Sequence, residues 1–262
     1  MAITLSTLNG HRESNTPFSC LTAYDATLAR LASDAGVEVL LVGDSLGMVV
    51  QGHTSTVPVT IDQMVYHTEC IARAGVDSLI MADLPFMSAP STETLLDNAA
   101  RLMRAGAHMV KIEGAGWLQA GIQALAQQGI PVCVHLGLTP QHVNALGGYR
   151  VQGMDPDEAQ AIIDDALALE QAGAAAILLE CVPRDLALDV RDALTVPVIG
   201  IGAGPDVDGQ ILVMHDMLGA TTGHVPRFVK NFLLDEVSIQ DAFLSYHEAV
   251  VHREFPAPEH CY

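Results

Sequence analysis

Short apolar runs alternate along this chain with longer stretches of helical period, and a glycine commonly marks the change from one to the other. The runs are Ser19–Asp25, Val37–Asp44, Ser78–Leu84, His108–Gly114, Pro131–Gly137, Ala174–Glu180 and Pro197–Gly202, with an eighth expected in Ile211–Leu218. Between them lie helical patterns around Leu28–Ala32, Met64–Ala74, Thr92–Ala105, Trp117–Gln128, Pro156–Gln171 and Arg184–Leu194. Gly36, Gly75, Gly106, Gly129 and Gly173 follow five of these patterns, where a left-handed residue ends a helix. Apolar runs without alternation suit strands covered on both faces, and the strand–helix rhythm suits parallel βα units. Eight units predict an α/β protein, a closed (β/α)8 TIM barrel spanning 1–262 as one domain, with Phe228–Tyr262 as a C-terminal helical extension made of an extra helix and an arm. The rival is an open doubly wound sheet, which gives the same local signals. No G-x-G-x-x-G opens the first unit, and the strand count fits closure.

Composition narrows the class further. A chain of 262 residues, half of them hydrophobic, buries roughly three quarters of its unfolded surface and needs no disulfide or metal staple. The five cysteines (Cys20, Cys70, Cys133, Cys181, Cys261) are odd in number, scattered and without C-x-x-C spacing, which argues against disulfide frameworks and zinc fingers. With 31 acidic against 12 basic residues the net charge is −19, and no basic stripe exists to engage a nucleic acid. No apolar run approaches the ~20 residues of a membrane span, and the N-terminus lacks the pattern of a signal peptide. A soluble, cytoplasmic protein is expected.

In such a barrel the C-terminal ends of the strands converge on one mouth, where catalysis sits. Those ends read Asp25, Asp44 with Ser45, Asp83, Lys111 with Glu113, His135 and Glu180, followed by the glycine-rich Gly200–Gly204 loop. Any one aspartate there can simply cap the next helix. An ionisable group at six successive ends is harder to explain by capping. Asp44, Asp83 and Glu113 come from neighbouring strands, so they repel one another unless a hard cation sits among them, with Mg2+ the natural fit and a salt bridge to Lys111 the competing reading. Lys111 and Glu113 are two apart and share a face. Beside three acids the lysine pKa should rise, which favours anion binding over a Schiff base. His135 reads either as a core histidine or as a donor to a developing enolate oxygen. Glu180, flanked by apolar residues, is the best candidate for a general base and otherwise a helix cap. Gly200–Gly204 suits either a phosphate site or the close approach of a flat cosubstrate.

Ten stretches make the sequence recognisable: TAYD (Thr22–Asp25), LVGDSLGMVVQGHTSTVPVT (Leu41–Thr60), ADLPFMS (Ala82–Ser88), MVKIEG (Met109–Gly114), HLGLTPQ (His135–Gln141), GGYRVQG (Gly147–Gly153), LLECVP (Leu178–Pro183), PVIGIGAG (Pro197–Gly204), DGQILVMHDMLG (Asp208–Gly219) and GHVPRFVKNF (Gly223–Phe232). In order and over nearly the whole chain, they resemble the ketopantoate hydroxymethyltransferase family. The resemblance implies a phosphoenolpyruvate-binding-like TIM barrel. It also implies hydroxymethyl transfer from 5,10-methylenetetrahydrofolate to 3-methyl-2-oxobutanoate, forming 2-dehydropantoate for pantothenate biosynthesis. It further implies Mg2+ at Asp44, Asp83 and Glu113, substrate contacts at Asp44, Ser45, Asp83 and Lys111, a proton acceptor at Glu180, and a homodecamer. The chain departs at its acidic surface, its N-terminal lead and Pro205, which puts folate contacts near the last in doubt. Alternatives are a Mg-dependent 2-oxo acid lyase or mutase of the isocitrate lyase type, a lysine-dependent aldolase, and a non-catalytic binding barrel.

Overall fold

A computed structural model describes residues 2–262. Eight parallel strands close into a barrel in sequence order: β1 (Phe18–Thr22), β2 (Val39–Val42), β3 (Leu79–Asp83), β4 (Met109–Glu113), β5 (Val132–Gly137), β6 (Ala176–Glu180), β7 (Val198–Ile201) and β8 (Gly209–Leu212), with β8 pairing back onto β1. Every strand residue is buried except Gly137 and Glu180, which sit at the mouth. The unbroken apolar character of the runs therefore reflects a lumen on one side and helices on the other.

The helices are α1 (Leu5–Glu13), α2 (Ala26–Asp34), α3 (Leu46–Val49), α4 (Ile61–Arg73), α5 (Thr92–Arg104), α6 (Gln119–Gln127), α7 (Val143–Leu146), α8 (Pro156–Ala172), α9 (Arg184–Ala193), α10 (Met214–Met217) and α11 (Ile239–Val251). Side chains of Thr60, Ser91, Asp155 and Ser238 accept hydrogen bonds from the first turns of α4, α5, α8 and α11. These caps satisfy amides that have no partner within the helix. The five glycines expected to end helices all have positive φ.

One expectation about the strands differs from what is observed. The eighth strand is Gly209–Leu212, not Ile211–Leu218; Met214–Met217 is the helical turn α10. An apolar stretch of that length carries no period that distinguishes strand from buried helix. The tail 228–262 consists of the helix Ile239–Val251, a short 3-10 turn at Pro258–His260 and irregular chain on either side of them. Tyr246 of α11 is fully buried, and its hydroxyl reaches the carbonyls of Cys20 at 2.9 Å and Gln210 at 2.8 Å across the β1–β8 seam.

Helix α1 was not anticipated, since it buries only Leu8. It spans the N-terminal end of the barrel, from Ile3, whose amide donates to the Asp77 carbonyl, to Arg12, which pairs with Asp208 and donates to the carbonyls of Arg191 and Leu194. Asp208 is buried, receives the Val198 amide at 2.9 Å and also pairs with Arg191 at 3.0 Å. Asp208→Ala strands the buried Val198 amide and two part-buried guanidiniums, and should cost about 3 kcal/mol, a fall in Tm of roughly 6–12 °C. The exposed Asp62, which pairs with Arg101 on the surface, should cost less than about 1 kcal/mol when changed to Ala. Equal, small shifts in thermal melts of the two variants would remove Asp208 from this role.

Candidate active site

The parallel register assembles the site. Asp83 lies beside Lys111, Glu113 beside His135, and Gly137 beside Glu180. Strand alternation then directs Lys111 and Glu113 to the same face. Asp44, Asp83, Lys111, Glu113 and His135 are each no more than 4% exposed. The Lys111 ammonium pairs with one Asp83 oxygen at 2.6 Å, and the other oxygen accepts the Asp44 amide at 3.0 Å.

Gln141, in the 3-10 turn Pro140–His142 after β5, ties this cluster together. Its amide donates to Glu113 Oε2 at 2.9 Å, and its side chain donates to Asp44 Oδ2 at 2.8 Å and to the Leu84 carbonyl at 3.0 Å. The sequence reading assigned Gln141 no role. Its only signal was a polar side chain just past a strand end, within HLGLTPQ.

Electrostatics follow from this burial. Asp44 is held well above the usual carboxylate range by desolvation first and then by Asp83 and Glu113, with Lys111 and Gln141 opposing. Asp83 is raised by desolvation, although Lys111 pulls it down. Desolvation pushes Glu113 up, but His135, Lys111 and the Gln141 amide outweigh it and leave its pKa lowered. For Lys111, desolvation is overcome by Asp83, Glu113 and Asp44, and its pKa rises. That is the direction expected of an anion-binding ammonium rather than an amine nucleophile.

His135 lies between two carboxylates, Nδ1 3.4 Å from Glu113 and Nε2 3.3 Å from Glu180. Neither ring nitrogen makes a well-formed hydrogen bond, although both are buried. Desolvation and Lys111 lower its pKa, and the two glutamates more than compensate. Glu180 is the most open acid of the group, with 16% of its side chain exposed. The next residue, Cys181, is buried at φ +49°, a strained left-handed conformation of the kind that collects at functional sites. Ser45 shares a 2.9 Å hydrogen bond with the Tyr24 hydroxyl, which burial keeps protonated.

Asp25 is the exception among the strand ends. It is exposed, and its carboxylate caps α2 by accepting the Thr27 and Leu28 amides. It takes no place in the cluster and, contrary to expectation, does not line the mouth. In the Gly200–Gly204 loop, a Cβ at Gly202 would come within 2.8 Å of Phe228, and one at Gly204 within 2.7 Å of Arg184. Close packing of the surrounding chain accounts for these glycines.

Asp44, Ser45, Asp83, Lys111, Glu113, His135 and Glu180 all line one cavity of about 800 Å3. Among the described residues, no three Asp, Glu, His or Cys side chains close tightly enough to cage a metal unaided. The donor set nonetheless suits a hard divalent ion: three buried carboxylates face a single ammonium, and Asp44 Oδ1 accepts no hydrogen bond among the described residues. Mg2+ is usually held in this way, by one or two carboxylates with water and substrate completing the octahedron.

A closed parallel barrel with carboxylates and a lysine at its C-terminal mouth defines an α/β-barrel protein of the fold seen in the PEP mutase/isocitrate lyase superfamily. The chain is similar in structure to phosphonopyruvate hydrolase (TM-score 0.64, 17% identity, 83% of this chain and 84% of that one). It is likewise similar to 2,3-dimethylmalate lyase (TM-score 0.58, 19% identity, 81% of each). At these identities the likeness is one of fold. Within that fold the chain belongs to the ketopantoate hydroxymethyltransferase family, whose sequence model matches residues 2–258. It is 62% identical over 260 residues to a 3-methyl-2-oxobutanoate hydroxymethyltransferase of Chromohalobacter salexigens, covering 99% of both. It is 60% identical over 262 residues to one of Marinobacter nauticus, covering 100% of this chain and 99% of the relative.

Gln141→Glu tests the electrostatics of the cluster. The new carboxylate would face Asp44 where an amide now donates. Both acids then have folded-state pKa values above their unfolded ones. The penalty is absent below the unfolded values, near pH 4, and grows as pH rises. In chelator, the Tm gap between variant and parent should be small at about pH 4 and reach the equivalent of about 1–3 kcal/mol near pH 8. A gap independent of pH would rule out charge repulsion as its cause.

Proposed function

We propose that this chain is an enzyme that transfers a one-carbon unit from 5,10-methylenetetrahydrofolate to C3 of 3-methyl-2-oxobutanoate. Water supplies the hydroxyl oxygen, and the products are 2-dehydropantoate, for pantothenate biosynthesis, and tetrahydrofolate. The observation that carries this reading is Glu180, the most open carboxylate of the cluster, sharing one cavity with Asp44, Asp83, Glu113 and Lys111. A base and a charge-stabilising cluster side by side are what proton abstraction next to a carbonyl requires. Family membership supports the choice of substrates.

Asp44, Asp83 and Glu113 would hold one Mg2+ per subunit, which when bound supplies Lewis-acid stabilisation of negative charge on the keto oxygen. Glu180 removes the C3 proton, and the resulting carbon nucleophile attacks the one-carbon unit. Asp44, Ser45, Asp83, Lys111 and His135 contact the 2-oxo acid. The Lys111 ammonium offsets charge on its oxygens, and the Ser45 hydroxyl, aligned by Tyr24, donates to them. His135, set between Glu113 and Glu180, keeps the base in register with the cluster. The whole of 1–262 works as one domain in a cytoplasmic homodecamer. No nucleic-acid or membrane partner is involved. No helix among the described residues is long and apolar enough to cross a membrane.

Glu180→Gln should still bind 3-methyl-2-oxobutanoate but lose roughly 10²–10⁴-fold in exchange of the C3 proton with solvent deuterium. Full exchange in that variant would take the base role from Glu180. Asp83→Ala should weaken Mg2+ and 2-oxo acid binding together in calorimetric titrations; an unaltered Mg2+ affinity would refute the ligand assignment.

A further inference from the structure

The cavity continues outward beyond the acid cluster, and its outer wall includes Tyr149 and Arg150. Both are exposed, on the segment between α7 and α8. Gly147 and Gly148 begin this segment with positive φ and open space where a side chain would stand. At the other end, Gly153 is wedged against Leu186, and the Gln152 amide donates to the Cys181 carbonyl at 2.9 Å. The segment is therefore a short strap, free at the glycine pair and tied beside Glu180. The Tyr149 hydroxyl reaches Met48 Sδ at 3.8 Å across the mouth.

Lys111 and Arg150 are the only Lys or Arg residues on the cavity wall among the described residues. Lys111 is committed to Asp83 at the floor. Arg150 forms no ion pair among the described residues, in a chain with 31 acidic side chains to offer one. An unpaired guanidinium beside an exposed aromatic ring, on a wall that also carries Asp44, Asp83, Glu113, Glu180 and Asp216, favours an anionic group, and unlike His53, His215 and His224 on the same wall it stays charged at any working pH.

We propose that Tyr149 and Arg150 form the subsite for the tail of the one-carbon donor, the Tyr149 ring lying along its aminobenzoyl group and the Arg150 guanidinium pairing with its glutamate carboxylates. The inference rests on the folate-dependent reaction proposed above. It adds the residues that recognise the donor's anionic end, which the deep cluster has no free cation to hold. Planar bidentate pairing explains arginine here rather than lysine.

The test is steady-state kinetics of the full-length protein with two donors. One is 5,10-methylenetetrahydrofolate; the other is the same pterin–aminobenzoyl donor with its glutamate replaced by an uncharged N-methylamide. Arg150→Gln should raise KM for the glutamate-bearing donor roughly tenfold and for the capped donor less than twofold. Arg150→Lys should fall between the parent and Arg150→Gln. Added salt should raise the parent's KM for the glutamate-bearing donor and leave that of Arg150→Gln nearly flat. Equal defects with both donors, no defect with either, or a rise confined to KM for the 2-oxo acid would overturn the subsite. A parent protein that forms no hydroxymethylated product from either donor would instead overturn the reaction itself, and the subsite with it.

Discussion

Three carboxylates and one ammonium are buried together at the mouth of this barrel, and the rest of the site is arranged around that imbalance. The ion pair of Lys111 with Asp83 at 2.6 Å offsets one negative charge. Asp44 and Glu113 are left to hydrogen bonds from Gln141 and to the nearby His135. Removing charges from water costs several kcal/mol each unless they are paired. Here the cost appears as raised pKa values on Asp44 and Asp83. A site strained in this way is stabilised by whatever positive charge enters it, so a destabilised cluster becomes a receptor.

The barrel makes such an arrangement tolerable. Its strands are hydrogen-bonded on both edges and its helices cover the outer face, so most of the fold's stability comes from elsewhere and can offset a cost at the mouth. At the opposite end, α1 and the buried Asp208 with its two arginines close the N-terminal side. This division of labour, stability below and chemistry above, is why one fold hosts many reactions. It is also why structural likeness at 17–19% identity leaves the reaction open, whereas 60–62% identity across the chain does not.

Most of the strands were legible because a parallel barrel strand is apolar on both faces and short, and the glycines after the helices mark where each unit turns. Legibility failed where those conditions lapse. The run after Asp208 is apolar without period, and its strand ends at Leu212 with a helical turn just beyond. Helix α1 is largely polar and is held by Arg12 and Ile3 through contacts distant in sequence. Asp25 satisfied the rule for a strand-end acid and is a helix cap all the same. The two roles use the same residue at the same place, and only the direction of the side chain separates them.

By itself the sequence determined the periods, hence the barrel, and which chemical groups stand at which strand ends; the alternation of side chains along a strand is a local property and needs no partner. Only the tertiary structure decided how those groups meet. Gln141 reaches Asp44 from a loop ninety-seven positions away, and His135 lies between glutamates of two different strands. The raised pKa of Asp44 comes first from burial at the closed barrel's mouth and then from Asp83 and Glu113, which closure brings beside it. Electrostatic energy depends on distance through space and on exclusion of water, and neither is encoded at any single position of the chain.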